Sequence, residues 1–581
     1  MTILLTLDNV TRYSVFNNVI PGVWSIPISI NVDSPFSFGT FWATTDPYNR
    51  VRYTIESVEK NYIAMSITTS YSDMLTTADS FYYDKSNSVL YINTDDEPYN
   101  ISTIDVGLGL TYSKSSNPNG YVSDDGVFYD PLLKSIPNIT YAKDDFVRSI
   151  PKNESLTLQL INTEEENNLD NIASLDLYGN PARIKIATVD NPTDSDFTEI
   201  FSGRIDDIPK VGLDSVTIKL NNQRKFLNVP IASRTFTTDE YPDLDDDTIG
   251  QNIPIAIGQC RNVPCICVNK ETSGSTLIYK VCDTDPTSDF HFDIEAISVV
   301  RVDGVTKTAS NKDLVNGTFE LSDTVAKDGD KFLDVTADIS GWKTGALGLI
   351  ENSLIAVRTL NEVYANIPYN SSRYDLVQWD TAQSSAHDIS YWTDGAKLRD
   401  FIELATQSEL GVFTDQPDGL FRFYFSDLSG AASQTIYQYE QFNLPVAVPT
   451  VDRVRSSVAI KYNREWNTNK SRQVVDTTNE QSIFQRFRFK ERLTVETLLQ
   501  DKTDAESYAT DILSRLNAEP TFIIELSLSD YYDLFITDII NIEINRVSCE
   551  WYGTIKAEIE KVVLNTDSEK AIITVKYIEE A

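Results

Sequence analysis

Histidine is nearly absent from this chain: His291 and His387 are the only two in 581 residues. Neither has a Cys or Ser motif beside it, and a base must sit next to the nucleophile it activates. The sequence also lacks a Gly-x-Ser-x-Gly elbow, a P-loop, a His-Glu-x-x-His pair and a Gly-x-Gly-x-x-Gly loop. Gly107-Leu108-Gly109-Leu110 comes nearest but has no third Gly and no following helix. Methionine is scarce, with three residues, and Gly and Pro are not enriched. Five cysteines, Cys260, Cys265, Cys267, Cys282 and Cys549, form an odd set. Four of them cluster, but Cys265 and Cys267 are one residue apart and no C-x2-C knuckle is present, which argues against zinc. Buried free thiols acting as small hydrophobes are expected instead.

Long apolar runs are missing too. Nothing approaches the roughly 18 uninterrupted apolar residues of a membrane-spanning helix. The start, MTILLTLDNVTRYSVF, has no basic segment of the kind that opens a secretory signal. The chain is therefore expected to be made and kept in a cytoplasm until it is assembled or released, without stable membrane insertion. Basic residues are outnumbered: 49 Lys and Arg against 86 Asp and Glu leave a net charge of −37 and a pI near 4.4. Binding to nucleic acid through phosphate contacts is therefore not expected, because the basic footprint that neutralises phosphates is lacking. Net charge speaks to solubility and association, not to fold. Two readings stay open: plain solubility or salt adaptation, or an acidic channel wall.

What is present is enough to build several cores. Hydrophobic residues make up 41% and aromatics 11%, with 29 Tyr and 26 Phe, so global disorder is excluded and β-rich domains are favoured. At about 100–200 residues per domain, three to five domains are expected. Residues 1–145 form an aromatic-rich β region. Phe81-Tyr82-Tyr83, a polar turn and Val89-Leu90-Tyr91-Ile92 read as a hairpin, and Val51–Ile55 and Tyr62–Ile67 as strands. Asn117–Gly120 is a turn signal, and Asp124–Pro131 a loop into the next region. In 146–235 the alternation of Ser155–Leu160, Arg183–Ala187 and Ser215–Leu220 marks half-buried strands, with Glu164–Asn168 as a solvated loop. Gly203, inside a strand pattern, marks a bulge or a close backbone approach.

Residues 236–390 read as a β-rich, irregular middle domain. It opens with the acidic loop Asp239–Asp247, which has neither the glycine nor the closing glutamate of a calcium loop and is expected to be solvated. Val299–Val305 reads as strand, turn, strand. Residues 391–581 read as an α+β domain. Leu398, Phe401, Ile402 and Ala405 line one helical face that Gly411 ends, and a hairpin through Gln416-Pro417-Asp418-Gly419 packs on it. A second helix spans 503–518, with Thr503 and Glu506 as a capping box and Pro520 as its stop. Strands at 522–528, 539–544 and 571–577 follow.

One segment stands apart. Gly250–Val268 reads GQNIPIAIGQCRNVPCICV. Two short apolar runs begin with Pro254 and Pro264, a strand-start position that Pro tolerates. Gly258 and Asn262, in the polar stretch between them, can take the positive φ of a tight reversal. Two buried strands joined by a constrained turn are expected.

Three patches carry a family resemblance. The first is Leu175–Ile184 followed by Phe201–Asp207, which looks like a strand pair in which Gly203-Arg204-Ile205-Asp206 forms the turn back to the sheet. The second is the acidic loop with the Arg261-Asn262-Val263-Pro264 segment. The third is Val454–Asn463 with Trp466, the 503–518 helix and Asp538–Ile542, where Thr537 replaces a family Gly, so that the turn before Asp538 is expected to differ. Together they span roughly 175–268 and 454–545, and they resemble the tail-tip and baseplate hub proteins of tailed phages and gene transfer agents.

The resemblance implies a mainly β fold with α+β portions: β-barrel or sandwich domains, tail-tube-like hub domains and few short helices. It implies a homotrimer in a virion, assembled in the host cytoplasm, that closes the distal end of the tail tube and opens for DNA ejection. Implied partners are the distal tail or tube protein, the tape-measure protein and tip or fibre proteins, with DNA only in passage. No catalytic, cofactor-binding or metal-ligating residue and no cofactor is assigned, and no enzyme activity is expected. Two alternatives remain: a receptor- or glycan-binding tail protein, suggested by the aromatic N-terminal region, and a glycan-degrading tail enzyme using paired carboxylates. Among 86 carboxylates some pair will fall at the roughly 5–10 Å spacing that such an enzyme needs.

Overall fold

The computed structural model describes residues 131–143 and, with short gaps, 155–578, together with the backbone of strands between Thr2 and Tyr129. Two large sheets share one core. The first has ten strands in the order Leu133–Ser135, Ser155–Ile161, Ser215–Asn222, Thr198–Ile205, Pro181–Ala187, Thr2–Tyr13, Ile104–Lys114, Ile55–Lys60 and Ile63–Ala64, with Lys210–Val211 on the side of Ser215–Asn222. Its alternation sends Leu156, Leu158 and Leu160 inward. The second has seven strands in the order Gln434–Ile436, Ile539–Ile544, Gly553–Asn565, Lys570–Tyr577, Thr521–Ser527 and Val446–Val448, and Ile139–Ala142 joins it on Gly553–Asn565. Leu158, Ile184 and Ile218 of the first sheet and Ile524, Ile540 and Ile573 of the second belong to one buried cluster. Strands far apart in sequence thus close a sandwich-like core, with the Tyr141 hydroxyl donating to the Ile200 carbonyl and its ring 4.9 Å from that of Phe535.

A second core is built mostly from the middle of the chain. An eight-stranded sheet runs Val305–Lys307, Asp293–Val302, Val335–Thr344, Gln259–Pro264, Ser457–Glu465, Lys470–Asp476, with Gly348–Leu349 and Arg492–Glu496 on its flanks. The helices Ser353–Ala365, Leu376–Gln383 and Leu398–Ser408 contribute Leu354, Trp379 and Phe401 to the same buried cluster. Val412 and Phe413 are adjacent in the strand Gly411–Asp415 and point to opposite faces, so one enters each core. The chain is mainly β with α+β portions, as the sequence indicates.

Several local expectations hold. Ser80–Asp84 pairs with Val89–Asn93 as a hairpin. Val302 pairs with Val305 across Asp303 and Gly304, both at positive φ, the turn that suits the strand twist. Gly411–Asp415 pairs with Phe421–Phe425. Residues 51–54, 117–120, 124–127 and 164–168, Cys549 and Pro520 lie outside the described residues.

Others are corrected. Among the described residues the irregular stretch before 390 holds three helices: the single turn Asp323–Ala326, then Ser353–Ala365 and Leu376–Gln383. Ser353–Ala365 is capped by Asn352, whose side chain accepts from the N–H groups of Leu354 and Ile355, and it ends on left-handed Asn366. The helix Leu398–Ser408 stops before Gly411: Leu410 takes the positive φ, and Gly411 opens the next strand. Gly411 is needed there because a Cβ would fall 2.0 Å from the Phe423 ring. The second predicted helix runs Lys502–Arg515, and its cap is Asp501, which accepts from the Thr503 N–H at 2.6 Å. A carboxylate at the positive end of the helix outcompetes the Thr503 hydroxyl, and Glu506 pairs with Lys502 instead. The strand expected at 522–528 ends at Ser527, and Leu528 begins a short helix.

Candidate functional site

The Gly250–Val268 segment sits where four parts of the chain meet. Ile255–Ile257 pairs with Tyr391–Thr393, and Gln259–Pro264 pairs with Val335–Thr344 and touches Ser457–Glu465. Pro254 precedes the first strand, but Pro264 ends the second rather than starting a third. The polar stretch is therefore not a loop between two strands: it is itself strand. Positive φ falls where expected, at Gly258 (+65°) and Asn262 (+52°). Gly258 lets one short strand turn directly into the next. Its N–H donates to Ile350 and its carbonyl accepts from Gly341, both at 2.8 Å. Asn262 makes the bulge between Cys260 and Val263.

The bulge is fastened by charge. The Asn262 N–H donates to Asp338 Oδ1 at 2.8 Å, and Arg301 grips both oxygens of Asp338 at 2.7 and 2.6 Å. Partial burial opposes the charge on Asp338, but these donors and nearby Arg261 hold its carboxyl below the usual carboxylate range. Thr336 Oγ1 donates to the Asn262 side chain. On the other side, the Trp466 and Asn467 N–H groups donate to the carbonyls of Arg261 and Asn262. Arg261 reaches Asn463 Oδ1 at 2.9 Å and Glu465 at 3.5 Å. The Trp466 ring lies edge-on to Tyr391, 5.7 Å away. Two of the three resemblance patches, 239–268 and 454–466, are thus bound to each other directly.

The first patch is built differently from the expectation. Gly203-Arg204-Ile205 is strand, not turn, pairing with Pro181–Ala182 on one side and Leu220–Asn222 on the other. A tight turn lies instead at Leu177–Asn180, just before Pro181–Ala187, where Gly179 takes φ +81° and its N–H donates to the Ile205 carbonyl. The close approach at Gly203 is real: a Cβ would fall 2.2 Å from the Asn221 carbonyl oxygen. Thr537 also departs from expectation. It adopts φ +82°, so the chain keeps a glycine-like turn before Asp538 with a β-branched residue in it.

The described thiols do not converge on one point. Cys260 Sγ donates to the Ile257 and Tyr391 carbonyls, Cys282 to the Asp283 carbonyl, Cys267 to the Asn269 side chain and Cys265 to the Val263 carbonyl. Burial pushes all four upward, Cys282 to about 12. Ion pairs hold the acidic loop, Glu240 to Arg234 at 2.5 Å and Asp245 to Lys270 at 2.7 Å. Arg234 also holds the buried Asp283 at 2.7 Å.

Both histidines serve carboxylates. His291 bridges Asp285 (2.7 Å) and Asp293 (3.2 Å) on the surface, and His387 meets the buried Glu409 at 2.8 Å. These hydrogen bonds raise both imidazoles. Glu351 and Asp388 are raised by burial first, and Glu351 next by the charge of Asp388. Two carboxyls shifted the same way do not make an acid and base divided by environment. Asp338, Arg301 and Glu409 were not singled out by sequence; no local pattern marks a residue whose partner lies 22 to 76 positions away.

No family model matches the sequence, and no curated protein matches it. Among solved structures the chain is similar to a component of the virion of a native gene transfer agent particle, at 13% identity over 57% of this chain and 85% of that one, with a TM-score of 0.38. It is similar to a tail protein from Neisseria meningitidis MC58, at 10% identity over 78% and 93%, TM-score 0.36. It is also similar to the 43 kDa tail protein of prophage MuSo2 from Shewanella oneidensis, at 10% identity over 78% and 95%, TM-score 0.34.

Proposed function

We propose that this chain is a structural virion protein of a phage-type tail, a hub that closes the distal end of the tail tube, organises the tip or baseplate and opens for DNA ejection. The observation that carries the reading is the junction at Arg261-Asn262. The residues most characteristic of the resemblance are spent on binding one strand system to another, through Asp338, Asn463, Glu465 and Trp466. That is a part built to hold shape under load. The proposed assembly is a homotrimeric ring with heterologous contacts between copies. Its partners are a tube protein behind it, a tape-measure protein within it and tip or fibre proteins outside it, and its location is the virion.

Light scattering on the purified full chain, with cryo-EM of labelled intact particles, tests this. A trimer and a label at the distal tip are expected. A stable monomer with affinity for host envelope sugars, or sugar hydrolysis abolished by single carboxylate substitutions, overturns it.

A further inference from the structure

Residues 453–492 carry ten Lys and Arg against four Asp and Glu, a net of +6 in a chain of net −37, so the remainder carries −43. The described part of this segment forms the hairpin Ser457–Glu465 with Lys470–Asp476, the helix Glu480–Phe487 and the strand Arg492–Glu496. One face of the hairpin is closed by the helix Lys502–Arg515: Ile460, Tyr462 and Val495 are buried against Ala505, Tyr508 and Ile512. On the other side Lys461, Arg464, Asn469, Lys470, Gln473 and Glu496 line a cavity of about 400 Å³.

Three of the island's four acids are ion-paired, and the fourth, Asp476, accepts from Thr478 and Thr510. Glu465 is held by Arg261, Glu480 by Lys490 and Glu491 by Arg455, and the neighbouring Glu496 by Lys461. Lys470, Arg472, Arg488 and Arg492 make no ion pair among the described residues. Lys470–Asp476 is also the last strand of its sheet among the described residues, with Lys470 to Gln473 exposed.

We propose that this basic hairpin is the docking surface for an acidic surface on a second copy of this chain. Two copies at −37 repel each other at long range. A patch of the opposite sign offsets that repulsion, and this segment supplies one. The same chain supplies the counter-surface, since 82 of its 86 acidic residues lie outside the island. A polyanion such as DNA fits less well: neutralising phosphates takes a continuous row of cations, and here paired glutamates interrupt the row while the surrounding field repels it. The proposal rests on the ring reading above and names the surface that would hold the ring together.

The test compares the full wild-type chain with K470E/R472E, which reverses two exposed and unpaired cations, and with K307E/K331E, which makes the same charge change at two exposed lysines elsewhere. Association is measured by sedimentation and light scattering, and folding is checked by thermal melts. K470E/R472E is expected to weaken association at least tenfold while K307E/K331E leaves it unchanged.

Salt gives a second readout on the wild type alone. Rising salt screens charges beyond a short range. Contacts between opposite charges weaken from about 50 to about 500 mM NaCl, whereas association limited by general repulsion strengthens. Weakening is expected. Strengthening, equal effects of both double variants, or no effect of K470E/R472E on a wild-type trimer overturns the docking surface and leaves the ring reading standing. So does duplex DNA binding that K470E/R472E abolishes while assembly is untouched. A guard against edge-to-edge pairing would instead show as aggregation of K470E/R472E, and this too overturns the proposal. A wild-type chain that is monomeric at every concentration removes the ring reading and the docking surface together.

Discussion

His387 holds Glu409 twice: its ring Nδ1 lies 2.8 Å from Oε2, and its backbone N–H donates to Oε1 at 2.8 Å, where the Ser353 hydroxyl also donates. The Glu409 side chain has no exposed surface. The carboxylate follows the end of the helix Leu398–Ser408, and Ser353 begins the helix Ser353–Ala365, so the pair ties two helices together. The hydrogen bond and charge of Glu409, followed by the charges of Asp504 and Asp388, raise His387 above 6.5 against the opposing effect of burial.

The sign of the pH effect follows. The folded state binds a proton at His387 more tightly than the unfolded chain. Its contribution to stability is complete below about 6.5 and is lost as pH rises through the higher folded value. Urea unfolding between pH 5.5 and 8.5 should show stability falling across the upper part of that window, with H387Q flattening the fall. A parallel pH dependence in H387Q would locate the effect elsewhere, with His291 the next group to change. Glu409→Ala, which strands the donors of Ser353 and His387, should cost about 1–3 kcal/mol.

Thr537 should be more stable as glycine. Its φ of +82° is a left-handed conformation that a β-branched residue takes only under constraint, at about 1–3 kcal/mol. The constraint is visible: its N–H donates to the Ile559 carbonyl, and the Ile559 N–H donates to the Asp538 carbonyl, both at 2.9 Å. Glycine removes the strain but adds freedom to the unfolded chain, worth about 0.5–1 kcal/mol. T537G is therefore expected to gain about 1 kcal/mol in urea unfolding. A loss would mean that the Thr side chain contributes contacts that outweigh the strain.

Legibility in the sequence tracked the range of the forces involved. Strands set by alternation, such as Ser155–Ile161 and Ser215–Asn222, and the Asp303-Gly304 turn were readable because neighbours decide them. The positive φ at Gly258 and Asn262 was readable from residue type, but their setting was not. Whether a polar pentapeptide is loop or strand depends on whether Asp338 and the 463–467 segment arrive to pair with it. The helix Ser353–Ala365 carried its signals in Asn352 and Asn366 and was hidden by its β-rich surroundings. At the first patch, Gly203 announced a close approach but not its direction, because the strand it meets, Ser215–Asn222, is set by tertiary pairing.

Asp538 should make the fold less stable at neutral pH than an amide would. Burial lifts its carboxyl from 3.8 to about 6, against the hydrogen bond it accepts from the Phe535 N–H at 2.9 Å. The folded state holds this proton more tightly, so stability falls as pH rises from about 3.8 to about 6 and stays lower above. At about 1.4 kcal/mol per unit the ceiling is about 3 kcal/mol. D538N keeps an acceptor for Phe535 and removes the charge. It should be about 1–3 kcal/mol more stable than wild type at pH 7.5 and little different at pH 4, as read by urea unfolding at both. Equal effects at the two pH values would mean that the substitution acts through packing.

Gly258 is the position where a single methyl should do most damage. A Cβ there would lie 1.8 Å from the Ile389 carbonyl oxygen, in backbone that cannot swing aside, and the φ of +65° adds strain for any other residue. Moving Ile389 would break the hydrogen bond its N–H donates to the Glu351 carbonyl and the one its own carbonyl accepts from Gln500. Gly179 provides the control. It has φ +81° but open space around it, so G179A carries the conformational strain alone, about 1 kcal/mol. G258A is expected to cost more than 3 kcal/mol or to abolish soluble folding. Thermal melts of the two variants side by side separate steric closure at the junction from the generic cost of replacing a left-handed glycine. Equal losses would mean that the strand crossing at Gly258 can relax, and that the junction is not the rigid element the hub reading requires.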